Sequence, residues 1–243
     1  MNAIETQALT KRFQDTTAVD ALDLTVRQGE LFALLGVNGA GKTTTIRMLC
    51  GLLSPTSGDA LVCGKSITRD TAAVKAVIGV SPQETAVGLH LTVRENLALM
   101  AGLHGYDKNT AREKTDAMLR RLKLDQVAGK RAKTLSGGWM RRLSIAMALI
   151  SEPQVLFLDE PTLGLDVLIR RELWQVIREL KGRSTVILTT HYLEEAEALS
   201  DRIGIMAHGR LIALGTAEEL KAQAGAASFE DAFVKLAGEE GTL

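Results

Sequence analysis

The run Leu31–Thr43, LFALLGVNGAGKT, constrains this chain more than any other segment. Leu31–Leu35 is an unbroken apolar run, which predicts a strand buried on both faces. Residues 36–43 then fit G-x-x-x-x-G-K-[ST], and a helical pattern opens at Lys42. Strand, glycine loop and helix in that order build a phosphate cradle. The glycines at 36, 39 and 41 let the backbone turn its N–H groups inward. The helix N-terminus adds partial positive charge at the same point. Lys42 is placed to reach the β- and γ-phosphates of a nucleotide, and the Thr43 hydroxyl to reach Mg²⁺.

Around this loop the pattern alternates. The helix after it is predicted from Lys42 to Leu53, with Ser54-Pro55 as its stop. Upstream, AIETQALT and AVDALDLTV read as short strands before a turn at Gln28-Gly29. Downstream come the strand Val155–Asp159, a helix over Val167–Leu180, the strand Thr185–Thr190, a helix over Leu193–Leu199 and the strand Arg202–Ala207. His208-Gly209 reads as a turn before another short strand, Arg210–Ala213. Such alternation predicts a parallel sheet with helices on its faces. Between Pro82 and Ile150 the period is helical: Thr92 and Glu95 have capping-box spacing, and Asn109–Leu122 is amphipathic. That stretch reads as an insertion into the α/β core, and Ala224–Ser228 as a small loop.

The 243 residues are 46% hydrophobic and 24% charged, which excludes a disordered or low-complexity chain. Lys+Arg and Asp+Glu both number 29, so the basic excess of a nucleic-acid binder is missing and no nucleic acid is expected. Cys50 and Cys63 are too few for a disulfide framework and are expected to pack in a reducing compartment. MNAIETQALTKRF lacks a signal-peptide core, and no apolar stretch approaches the roughly 20 residues of a membrane span.

Two further segments carry chemistry. Val155–Asp159 ends in Asp159 and then Glu160, at the strand end where open parallel sheets bind ligands. Asp159 is expected to hold Mg²⁺. Glu160, expected to point the other way from Asp159, is placed to polarise a water. Thr134-Leu135-Ser136-Gly137-Gly138 precedes an apolar helix; Ser136 is placed to cap it, making a second anion site.

Taken together, these residues resemble the nucleotide-binding subunit of ABC transporters over nearly the whole chain. GVNGAGKTT looks like the Walker A loop, VLFLDE like Walker B and LSGG like the signature segment. Gln83 matches the Q-loop, Pro161–Asp166 the D-loop, His191 the switch histidine and Phe13 the adenine-stacking aromatic. The resemblance implies an α/β fold with a P-loop NTPase (RecA-like) core, a mostly parallel sheet, an N-terminal antiparallel β-subdomain and an inserted α-helical signature subdomain. The chain would form one ABC ATPase domain: core at 1–83 and 151–223, helical subdomain at 84–150, tail at 224–243.

The resemblance also implies an ATPase using ATP and Mg²⁺, with ATP sandwiched in a head-to-tail dimer. Gly36, Val37, Asn38, Gly39, Ala40, Gly41, Lys42, Thr43 and Thr44 would hold the phosphates. Thr43, Asp159 and Gln83 would hold the metal, and Glu160, His191, Gln83 and Lys42 would be catalytic. Ser136, Gly137, Gly138 and Asp166 would work across the interface. The partners implied are a second ATPase subunit, identical or closely related, and an integral-membrane permease at the cytoplasmic face of the inner membrane. Texture in Gly88–Gly105 and after Leu211 is similar to ABC-2-type exporters. An importer ATPase, a non-transport ABC ATPase and a hydrolysis-poor switch are the alternatives. The permease is expected to dock near Gln83–Leu97, through exposed members of Val87, Leu89, Leu91 and Val93. Two positions depart from the family pattern: Trp139 follows LSGG, with its indole expected at the dimer interface, and Val167 stands where proline is common.

Overall fold

The computed structural model of the chain describes residues 1–238; residues 239–243, the end of the expected tail, lie outside the described residues. Strand β4 (Leu31–Leu35), which leads into the phosphate loop, is buried along its whole length. Its neighbours are β9 (Thr185–Thr190) and β10 (Arg202–Ala207), both parallel to it. β8 (Val155–Asp159) follows beside β9, then β7 (Ile78–Ser81), again parallel. β11 (Arg210–Gly215) closes the other edge, antiparallel to β10, so the order is β11-β10-β4-β9-β8-β7. The hairpin between β10 and β11 turns at His208 and Gly209, both with positive φ, as a two-residue hairpin loop requires.

The apolar runs hide a period of two. Leu31, Ala33 and Leu35 of β4, Leu156 and Leu158 of β8, and Val186 and Leu188 of β9 face one core. Phe32 and Leu34, Val155 and Phe157, and Ile187 face a second core on the opposite side. Each Val, Leu, Ile or Phe among them, fully withdrawn from water, contributes about 1.5–3 kcal/mol. The sheet is therefore a partition between two apolar layers, which is why its strands cannot alternate with polar residues.

One layer holds α5 (Gly137–Leu149), α6 (Val167–Arg178), α3 (Val93–Leu103) and α4 (Lys108–Arg121). Helices α3 to α5 lie between β7 and β8 in the chain, and Thr92 caps α3 in the expected box with Glu95. The other layer holds α1 (Lys42–Leu49) and a mainly antiparallel sheet of β1 (Asn2–Phe13), β2 (Thr16–Leu22), β3 (Thr25–Arg27), β5 (Ser57–Val62) and β6 (Lys65–Ser66). The short α2 (Thr71–Lys75) precedes β7. Helix α7 (Leu193–Leu199), between β9 and β10, and the helices after β11, α8 (Ala217–Ala224) and α9 (Phe229–Gly238), pack against the first layer, with Phe229 buried in it.

Two boundaries differ from the sequence reading. Helix α1 stops four residues early, because Gly51 takes φ +62° and its N–H and that of Leu52 bond back to Met48 and Arg47. The strand expected over residues 18–26 breaks at Asp23-Leu24: Asp23 accepts from the Ala8 N–H, and the Thr6 hydroxyl accepts from the Leu24 N–H.

Candidate active site

The site forms where β4, β8 and β9 end. In the loop after β4, Gly39 and Gly41 take φ of +85° and +102°, and a Cβ on Gly41 would fall 2.4 Å from the Ala18 carbonyl oxygen. Glycine at 41 is thus dictated by both conformation and space. Lys42 opens α1 and is buried. Its Nζ donates to the Gly36 and Val37 carbonyls at 2.7 and 3.1 Å and lies 3.8 Å from Glu160 Oε1. Burial pulls its pKa below the ordinary lysine value, and Glu160 and Asp159 oppose that shift.

Next to Lys42, the Thr43 hydroxyl donates to Asp159 Oδ1 at 3.1 Å. The same oxygen accepts from the Thr189 hydroxyl at 2.5 Å, which fixes the carboxylate from the neighbouring strand. Glu160 departs from the sequence expectation that it faces away from Asp159. Its φ is +48°, so the chain leaves strand geometry there and turns the second carboxylate back toward Lys42. For a residue with a side chain this left-handed backbone costs about 1–3 kcal/mol. It is held by Thr189, whose backbone and side-chain oxygens both accept from the Glu160 N–H.

His191 follows β9, and its Nδ1 lies 2.8 Å from Glu160 Oε2. The two atoms are out of line for a hydrogen bond, and Nδ1 finds no hydrogen-bond partner among the described residues. The imidazole packs on Tyr192, with ring centroids 4.2 Å apart. Gln83, two residues past β7, has an exposed side chain that lines the same pocket as Asn38–Thr44, Phe13 and Glu160. That pocket measures about 500 Å³. A separate cleft of about 260 Å³ lies between Gly36–Asn38, His191 and Phe233 of α9.

Ser136, Gly137, Gly138 and Asp166 line neither space. Ser136 stands at the N-cap position of α5, but its hydroxyl makes no capping bond, contrary to expectation. Gly138 packs face to face with α6: a Cβ there would lie 2.4 Å from Ile169 Cγ2. Asp166 caps α6, accepting from the Leu168 and Ile169 N–H groups at 3.0 Å, which starts the helix without a proline at 167. Trp139 packs half-buried against the core, with the Arg142 guanidinium 5.2 Å from its ring centre.

Several site residues were missed from the sequence. Thr189 had a signal, a polar residue at the end of an otherwise apolar strand. Glu195 had none. It is fully buried, and its Oε1 accepts from the Thr162 hydroxyl at 2.8 Å and the Trp174 indole at 3.0 Å. Burial raises its pKa above the usual carboxyl value.

Comparison with known proteins identifies the family. The family model described as ABC transporter matches residues 19–163. The chain is 46% identical over 224 residues to daunorubicin resistance ATP-binding protein DrrA3 of Streptomyces coeruleorubidus, covering 92% of this chain and 71% of that protein. It is 41% identical over 218 residues to Nod factor export ATP-binding protein I of Ralstonia nicotianae, covering 89% and 68%. A solved structure described as that of an ATP binding subunit of an ABC transporter superposes with a TM-score of 0.86 at 29% identity, covering 96% of this chain and 99% of that one.

Proposed function

Because the chain belongs to the ABC transporter family of ATP-binding ATPases, we propose that it is the subunit whose ATP hydrolysis drives export through a separate membrane-embedded permease. The convergence of Lys42, Thr43, Glu160 and Gln83 on one pocket, with Asp159 held behind Thr43, carries this reading. Phe13, nearly half exposed at the rim, offers a face to the adenine. Backbone N–H groups from Gly36 to Thr44 and the α1 N-terminus bind the phosphates, with Lys42 as their cation.

Mg²⁺ fits the donors present. The Thr43 hydroxyl and an Asp159 oxygen already meet at 3.1 Å, both hard oxygen ligands, with Gln83 on the pocket wall. Among the described residues no cluster of three acidic, histidine or cysteine side chains forms a metal cage, in keeping with an ion that borrows phosphate oxygens. Held by Thr43 and Asp159, Mg²⁺ would supply charge neutralisation at the phosphates. Glu160 takes the proton of the attacking water, and His191 contacts the γ-phosphate edge.

The exposed Ser136 and Gly137, with the free Ser136 hydroxyl at a helix start, support a head-to-tail dimer in which this end closes the partner's pocket. Asp166 is exposed at the start of α6, where Leu165 and Ile169 neighbour Gly137 and Gly138. The second subunit is an identical or closely related chain.

Among the described residues no helix is long and apolar enough to cross a membrane; in this reading the permease supplies the transmembrane path. A cleft of about 420 Å³ between the α/β core and α3 and α5, lined by Leu52, Pro82, Ala86, Met100 and His104, supports docking there. Of the expected docking residues, Leu89 is 51% exposed, whereas Val93 is fully buried and drops out of the set. Docking would hold the chain at the cytoplasmic face of the inner membrane. The relatives named for drug resistance and Nod factor export support the outward direction.

The test is Mg²⁺-dependent ATP turnover and membrane recovery with a co-expressed permease. Lys42→Ala is expected to lose nucleotide binding and turnover. Leu89→Asp is expected to lose coupling to transport and keep basal turnover. Wild-type turnover in Lys42→Ala would reject the site, and retained transport in Leu89→Asp would reject the docking surface.

A further inference from the structure

Helix α5 reaches the Gln83 loop through two buried side chains. Ser144 Oγ lies 2.8 Å from Ser81 Oγ at the end of β7. One turn earlier on the same helix face, the two terminal nitrogens of Arg141 donate to the carbonyl oxygens of Pro82 and Gln83, each at 2.8 Å. Arg141 is only 6% exposed. Among the described residues no carboxylate comes within ion-pair distance of it, so its bonds are spent on the loop backbone.

A guanidinium is a rigid planar fork of donors. Two successive carbonyls held by one fork cannot rotate about their shared peptide without losing a bond. The far end of the loop is also held. Fully buried Asn96 accepts from the Gly88 N–H at 2.7 Å and donates to the Gly88 and Thr92 carbonyls at 3.1 and 2.9 Å. Residues 84–87, between the two clamps, have no regular structure.

We infer that Arg141 is a positioning residue that locks the backbone of Pro82 and Gln83 to α5, so that the helix carrying Ser136 at its start sets how Gln83 reaches the nucleotide pocket. The inference rests on the reading of Gln83 as a metal-side residue. Burial lowers the Arg141 pKa, while Asp159, Glu195 and Glu160 oppose the shift; a guanidinium keeps its charge in proteins. Charge alone is therefore a competing reason for an arginine here. Lysine separates the two: it keeps the charge and loses the fork.

The experiment is amide hydrogen exchange on the full chain, paired with ATP turnover. In Arg141→Lys, the hydrogen-bonded amide of Gly88, at the far end of the loop, is expected to exchange about fivefold to tenfold faster, the loss of roughly one net hydrogen bond, with β8 unchanged. Arg141→Gln, which drops the charge and the fork, serves as a second variant with the same expectation. In turnover, Arg141→Lys is expected to lower kcat for Mg-ATP more than it changes KM. The double variant with Gln83→Ala is expected to match Gln83→Ala alone, because both changes act through one side chain. Unaltered exchange in both variants, or losses that multiply in the double variant, would overturn the inference. Wild-type turnover in Gln83→Ala would remove the role of Gln83, and exchange alone would then decide the clamp.

Discussion

Nδ1 of His191 stands 2.8 Å from Oε2 of Glu160 without a hydrogen-bond line between them. Both positions depend on the end of β9. Thr189 holds the left-handed Glu160 backbone from one side, and His191 follows two residues later. Acid and imidazole are thus set against each other by one strand end, while Lys42 approaches the same carboxylate from the phosphate loop.

Glu160→Gln is expected to bind Mg-ATP normally and lose about 10²–10⁴-fold in turnover, the usual contribution of a positioned general base. The amide keeps size and hydrogen-bonding reach but takes no proton. His191→Ala is expected to lower turnover with little change in Mg-ATP affinity. Steady-state turnover and equilibrium nucleotide binding separate these effects, and Glu160→Gln turning over at the wild-type rate would assign the base elsewhere.

Glu195 gives a pH dependence with a definite sign. Its folded pKa is raised above the ordinary value of 4.5 by burial. Below 4.5 the carboxyl is protonated folded or unfolded and its favourable contribution is complete. As pH rises, the unfolded chain ionises first, and that contribution is lost through the folded pKa. Glu195→Gln keeps an acceptor for Thr162 and Trp174 and does not titrate. Its melting temperature relative to wild type is expected to climb from pH 4.5 up through the raised folded pKa. A flat difference across that range would show that the folded carboxyl is not raised.

Gly137 and Gly138 are adjacent but differ in what surrounds them. A Cβ at 137 meets its nearest neighbour, Leu165 Cδ2, at 3.6 Å, whereas one at 138 falls 2.4 Å from Ile169 Cγ2. Gly138→Ala is expected to wedge α5 from α6 at about 1–3 kcal/mol, the usual range for overpacking. Gly137→Ala is expected to hold or slightly raise stability through helix propensity. Chemical denaturation without nucleotide measures both. Equal stability would mean that Ile169 yields freely and that the glycine serves only approach to a ligand.

The sequence by itself determined the phosphate loop, the acidic strand end and the layered α/β plan. Those features are local: a glycine loop between a buried strand and a helix has few other uses, and apolar runs alternating with helices leave few ways to cover a sheet. The expected pointing of Glu160 away from Asp159 failed because a two-residue period holds only while the backbone stays extended, and φ at Glu160 is +48°. The end of α1 was set by a glycine cap at Gly51, a local signal passed over in favour of Ser54-Pro55, whereas the break after β2 was set by Thr6 and Ala8 of β1, which no short window around it contains. Glu195, Arg141 and the meeting of His191 with Glu160 belong to the tertiary structure alone. Each joins segments distant in sequence, and a buried polar group reveals its partner only when packing has removed the water that would otherwise satisfy it.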